Sequence, residues 1–281
     1  MALVAPEHPE PLEQADALRL DIGGAESNVA AHLADAGVPT AWVSALGDDA
    51  LGRRVPRVLR ERGVDLRWLR IDDQAATGVY FKDPGRGVLY YRAGSAASRM
   101  SADTIADIPL EQMDLVHISG ITPILSPSCA ALIDAVFDRL HDASTVTSFD
   151  VNYRAPLWPV AEAAPVLRSL SSRADLVLVG LDEAQTLWGC ETDAQVREFL
   201  PEPHRLVVKD GAVGATEFTG SEQTFVAACA VEVVEAVGAG DAFAGGYLAA
   251  LLAGDDPAER LAAGHRRAAR VLRSMTDYLE E

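Results

Sequence analysis

The run Val237-Gly238-Ala239-Gly240-Asp241-Ala242-Phe243-Ala244-Gly245-Gly246 holds the strongest chemical signal in the chain. Glycines let the backbone turn tightly and leave amide N–H groups bare at the start of a helix, where the helix dipole favours an anion. Asp241 lies one residue past the glycines, so a phosphoryl group held there would sit beside a carboxylate able to take a proton from an attacking hydroxyl. The same residues read alone also fit a glycine-rich helix start with Asp241 as a cap.

The elements around this run must place it at the end of a strand. β-rich Val231 to Val237 precedes it, and an apolar helix follows to about Leu252. Elsewhere short apolar runs alternate with helical periodicity, the pattern of βαβ units feeding a parallel sheet. Thr40–Leu46, Leu115–Ser119, Val146–Val151, Leu176–Val179 and Leu206–Lys209 read as strands; Leu51–Arg62 and Pro127–His141 read as helices. One region breaks the alternation: Thr77–Lys82, an Asp-Pro-Gly-Arg-Gly turn and Val88–Arg92 form a hairpin signature. Leu18–Ile22 alternates in the same way. These strands are expected to form a small antiparallel lid, drawn from about residues 1–22 and 76–92, beside an α/β core from about 23–75 and 93–281, all within one domain.

Forty-two acidic against twenty-four basic side chains give a formal net charge of −18, which argues against nucleic acid and anionic membranes as partners. Anionic ligands would then need locally placed Arg, Lys or backbone N–H groups. Cys129, Cys190 and Cys229 are odd in number and widely spaced, and read as reduced core residues rather than a disulfide or zinc set. The first residues lack the basic start and apolar stretch of a signal peptide, and the expected location is the cytoplasm.

The segment Val237–Gly246 resembles the C-terminal signature of the ribokinase-like (PfkB) carbohydrate kinases. Gly23-Gly24-Ala25-Glu26-Ser27-Asn28-Val29-Ala30 resembles that family's N-terminal G-G-x-x-x-N-x-A segment, and Gly47-Asp48-Asp49 with Gly52 its G-x-D-x-x-G turn. Tyr90-Tyr91-Arg92, Ser119–Pro123 and Asp150-Val151-Asn152-Tyr153-Arg154 are similar to stretches of the 2-keto-3-deoxygluconate kinases, and the likeness covers nearly the whole chain. It implies a three-layer α/β/α sandwich with a mostly parallel central sheet and a small β-lid. It also implies ATP as co-substrate, Mg²⁺ and a sugar-acid substrate.

Residue by residue, the resemblance implies Asp241 as base, with Gly238, Ala239 and Gly240 forming the anion hole. Gly23, Gly24, Asn28, Tyr90, Arg92, Arg154 and Asp277 would hold the sugar acid, a guanidinium gripping its carboxylate by paired hydrogen bonds. Asn152, Lys209, Gly211, Gly214, Gly238 and Gly240 would lie along ATP, and Glu183 would organise Mg²⁺ through water. Gly180 stands where the family's N-x-x-E motif has Asn. His265 takes a helix position where relatives often have Asn near the adenine, and reads as structural or solvent-facing. Kinases of this kind begin with a strand ahead of the segment matching Met1–Val4; its absence here leads us to expect a late-assigned start or a sheet short of one strand with an exposed edge. The alternatives left open are a kinase of a neutral sugar and a nucleotide- or sugar-binding protein without turnover. The lid's β face is a candidate surface for a homo-oligomer.

Overall fold

Leu176–Gly180 is apolar throughout and buried on both sides, as a central strand of a doubly covered sheet must be. In the computed structural model, which describes residues 1–233 and 235–273, this strand (β9) lies inside a six-stranded sheet. Its companions are Leu115–Ser119 (β7), Val146–Asp150 (β8), Arg205–Asp210 (β10), Gly214–Thr219 (β11) and Glu222–Ala227 (β12). The order is β12-β11-β10-β9-β8-β7; the β7 to β10 pairs are parallel, and β11 and β12 are antiparallel additions at one side.

Alternate residues of β9 serve opposite layers. Val177 and Val179 join the core under helices Pro127–Leu140 (α3), Val160–Ser171 (α4), Leu181–Trp188 (α5) and Asp193–Phe199 (α6). Leu176 and Leu178 face Ala25–Asp35 (α1), Ala239–Ala253 (α7) and Pro257–Val271 (α8), through Val29, Leu33, Phe243, Tyr247 and Leu261. Caps set the helix starts: Ser126 accepts from the Cys129 N–H ahead of α3, and Asp256 from the Glu259 N–H ahead of α8, each followed by proline at the first helical position.

A second sheet, ordered β2-β1-β5-β6, joins Ala2–Pro6 (β1), Leu18–Ile22 (β2), Val79–Asp83 (β5) and Gly87–Tyr91 (β6). It is mixed, because β1 and β5 run parallel. Ser44–Gly47 (β3) and Leu69–Asp72 (β4) form a separate parallel pair, packed under Ala50–Glu61 (α2) and α1. Thr40–Val43, expected in a longer strand, contribute a single bridge at Ala41. Among the described residues β3 and β7 each stand at a sheet end, and both line one cavity of about 880 Å³.

Two expectations need correction. The β-rich stretch before α7 forms no strand among its described residues; Val233 is 57% exposed there, and no neighbouring strand offers a ladder. Cys129 and Cys190 are buried but Cys229 is exposed, in the segment after β12 has ended. No helix among the described residues is long and apolar enough to cross a membrane.

Candidate active site

Gly238 caps α7 with φ 89°, a left-handed conformation that glycine adopts without strain. This turn starts the helix abruptly, so the first-turn amides of Ala239, Gly240 and Asp241 lie at its N-terminus, where α-helical geometry supplies no partner within the helix, and the Ala239 N–H donates at 3.3 Å to the Ala236 carbonyl before it. Asp241 is 8% exposed, and its Oδ2 accepts a 2.7 Å hydrogen bond from Asn28 Nδ2 on α1. The two helices come this close because of Gly245: a Cβ there would stand 2.4 Å from His32 Cβ. Asn28 Oδ1 is buried and makes no hydrogen bond, so it remains available to a hydroxyl.

A second polar group abuts the first. Lys209, on β10, reaches across β9 to Asp150 at the carboxyl end of β8, its Nζ 3.2 Å from both carboxylate oxygens. The same ammonium lies 3.9 Å from where a Cβ of Gly240 would be. Burial works against the charge, but Asp150, then Glu183 and more weakly Asp241, hold the Lys209 pKa above its ordinary value. Glu183 is bound to its own helix start, accepting from the Gly180 N–H at 2.8 Å, and meets Arg154 Nη1 at 3.9 Å. Burial raises the Glu183 pKa against the pull of Lys209. Asn152, the one described non-glycine residue with positive φ (43°), leaves its buried Oδ1 unpartnered beside this cluster's strand. Gly211 and Gly214 shape the turn from β10 into β11.

Gly24, Glu26, Ser27, Arg92 and Thr122 line the cavity between β3 and β7, to which Asn28, Lys209 and Asp241 do not contribute. Gly24 caps α1, while Gly23 pairs with Met1 across the β1–β2 ladder. Arg92 follows β6 and packs against Gly78 and Met1. Its Nε is buried without a hydrogen-bond partner, and burial lowers the guanidinium pKa while Glu26 opposes that shift. Glu26 accepts from Thr122 Oγ1 at 2.6 Å. Tyr90 packs in the small apolar cluster of β1, β5 and β6, its ring 6.0 Å from that of Tyr80.

The sequence-predicted residues therefore fall into groups. Asn28 and Asp241 are bonded directly; Lys209 joins Glu183, Arg154 and the Gly240 turn; Gly24 and Arg92 share the cavity wall. Arg154 belongs with the Glu183 group, and no contact links it to Arg92. Asp277 lies outside the described residues. His265 is buried, with Nε2 3.1 Å from the Val226 carbonyl and its ring edge-on to Phe243. Sequence reading gave no role to Asp150, Glu26 or Thr122. A lone acid closing the apolar strand Val146–Asp150 was the available sign for Asp150, since ligands of parallel α/β sheets gather at the carboxyl ends of strands.

Among the described residues no three His, Cys, Asp or Glu side chains cluster as a metal cage. The donor set fits a hydrated hard cation held mainly by nucleotide phosphates, with Glu183 as the nearby acid, rather than a protein-held ion.

An open helix start, a carboxylate oriented beside it and a buried lysine at the same turn are the kinds of group that phosphotransfer chemistry uses. The chain belongs to the pfkB family carbohydrate kinases, whose model matches residues 1–279. It is 33% identical to the 2-dehydro-3-deoxygalactonokinase of Haloferax volcanii, over 96% of this chain and 87% of that one. With the 2-dehydro-3-deoxygluconokinase of Thermoproteus tenax the identity is 34%, over 90% and 80%. A probable fructokinase-5 of Arabidopsis thaliana is 31% identical, over 82% and 73%. The crystal structure of a PfkB protein from Polaromonas sp. JS666 superposes with a TM-score of 0.90 at 33% identity, covering 98% of this chain and 94% of that one. The chain is an ATP-dependent sugar kinase with the ribokinase-like fold.

Proposed function

We propose that this kinase transfers the γ-phosphoryl group of ATP to the C6 hydroxyl of 2-keto-3-deoxygluconate, giving the 6-phospho sugar acid and ADP. Asp241 removes the hydroxyl proton as the oxygen attacks, with Asn28 fixing the carboxylate. The N–H groups of Ala239, Gly240 and Asp241, together with the Lys209 ammonium, meet the charge that gathers on the phosphoryl oxygens. Lys209, Asn152, Gly211 and Gly214 lie along the nucleotide. Glu183 would hold the water shell of Mg²⁺, which would supply charge neutralisation at the nucleotide phosphates. The sheet that carries Tyr90 acts as a lid over the sugar and keeps water from the phosphoryl group.

The substrate half rests on one observation: Arg92 presents a buried, unpartnered Nε to the cavity, a donor suited to a carboxylate. The two deoxy-sugar-acid kinases among the relatives support it. A second reading, a kinase of a neutral sugar such as fructose, has its own observation. Glu26 faces the same cavity and opposes the desolvation of Arg92, so it would repel a carboxylate and neutralise its partner. ADP release with Mg·ATP, comparing 2-keto-3-deoxygluconate, fructose, ribose and gluconate at equal concentration, separates them. Preference for the keto-deoxy acid is expected; equal or better use of fructose would overturn the acid pocket and keep the kinase.

A further inference from the structure

Asp150 is 2% exposed, carries a charge, and is called upon by none of the steps above except through Lys209. A buried carboxylate is costly unless paired, and this one is paired with a single ammonium by both oxygens. Its partner is the long, flexible side chain whose tip lies at the first turn of α7. Lysine has a large rotamer entropy to lose in holding one position. An ammonium useful to a moving phosphoryl group must already be in place, because reorganisation during the step erodes the electrostatic gain.

The surroundings make the anchor necessary. Glu183 on α5 and Asp241 on α7 also face the ammonium; Arg154 faces Glu183, and His117 on β7 feels both Asp150 and Lys209. Without Asp150, the remaining acids would draw Lys209 toward Glu183 or onto Asp241. A lysine on Asp241 would compete with the substrate hydroxyl for the base.

We propose that Asp150 is a positioning residue for phosphoryl transfer, its buried carboxylate holding the Lys209 ammonium at the N-terminus of α7, against the transferred phosphoryl group and away from Asp241. This rests on reading the α7 start as the phosphoryl site. It assigns the Asp150–Lys209 pair a role in recognising the γ-phosphoryl group itself, so the pair should favour ATP over ADP.

The test compares the parent chain with Asp150→Asn, Lys209→Met and the double variant, reading turnover with Mg·ATP, sugar KM, calorimetric affinity for ATP and ADP, and melting temperature. Each single variant should lose roughly 10²-fold in turnover, as expected for one preorganised donor, with sugar KM little changed. The double variant should fall no further than the worse single, because both remove one unit. Preference for ATP over ADP should drop in all three. Asp150→Glu, which keeps the charge, should recover part of the loss and serves as the second probe where Asp150→Asn folds poorly. Parental turnover in Asp150→Asn, additive losses, or equal ATP and ADP affinity in the parent would overturn the proposal. A parent that phosphorylates no sugar yet prefers ATP in an Asp150-dependent way would sink the functional reading and leave this one standing.

Discussion

The region proposed for the phosphoryl group and the region proposed for the sugar are built differently. At the phosphoryl end Asp241, Asn28, Lys209, Asp150 and Glu183 interlock through side-chain bonds at 2.7–3.2 Å and close charges, on strand ends and helix starts. At the sugar end Arg92 leaves a donor unpartnered, Glu26 is held by a threonine, and a wide cavity separates the walls. The first region is preorganised for one kind of chemistry. The second is a surface whose few polar groups decide what enters. Both sugar-acid kinases and a fructokinase are relatives at 31–34% identity, as expected when specificity lives in the looser half.

That contrast can be broken most directly at Asp241. Asp241→Asn should cut turnover by roughly 10²–10⁴, the range for loss of a general base, while calorimetric ATP affinity stays within a few-fold; unchanged turnover would remove Asp241 from the chemistry. Arg92→Ala should act on the other half alone, raising KM for the sugar acid about 10-fold or more with turnover nearly kept, on the order of the 1.5–3 kcal/mol of a charged hydrogen bond. A fall in turnover with KM unchanged would merge the two regions. Gly245→Val puts a side chain into the α1–α7 contact and should cost roughly 1–3 kcal/mol of stability by overpacking, read as a lower midpoint in urea. If the midpoint holds, the close approach of the helices is not what orients Asn28.

The smallest effect is one of pH. His265 is buried and His117 half-buried, and desolvation is the chief cause holding both pKa values below 6.5. The unfolded chain therefore binds protons first, so their contribution to stability is complete above about pH 6.5 and is lost as pH falls from there toward the folded values. The melting temperature should drop on acidification from pH 7 to 5.5, and His265→Gln should flatten the drop. An unchanged slope would show that carboxylates alone set it.

Legibility in the sequence followed the range of the interactions. β9 announces itself as four consecutive large aliphatics, and the glycines of the α7 start act within their own turn, so both are readable from neighbouring residues. Asp150 takes its partner from Lys209, 59 positions away in the chain, and Glu26 from Thr122, 96 away. Local patterns do not encode such pairs. Val231–Val237 misled for the complementary reason: its β-branched residues suit a strand, but strand formation needs a pairing partner, and the described residues of this segment pair with no strand. Arg154 is likewise placed by a distant residue, its Nη1 lying 3.9 Å from Glu183 on α5.

The break between β3 and β7 has a thermodynamic consequence. With no backbone ladder crossing it among the described residues, the β3–β4 layer and the six-stranded layer are joined by side-chain packing alone, through α1, which packs into both cores, and through Ala45, which shares a core with Val177 and Val179. Such an arrangement favours two cooperative units of unequal stability, and the thinner one opens first. Amide exchange should then be faster at Ser44–Gly47 than in β8 to β10. Because Asn28 rides on α1 while Asp241 rides on α7, each such opening that loosens α1 also releases the base, so the lifetime of the competent site is set by subglobal unfolding rather than by the stability of the whole.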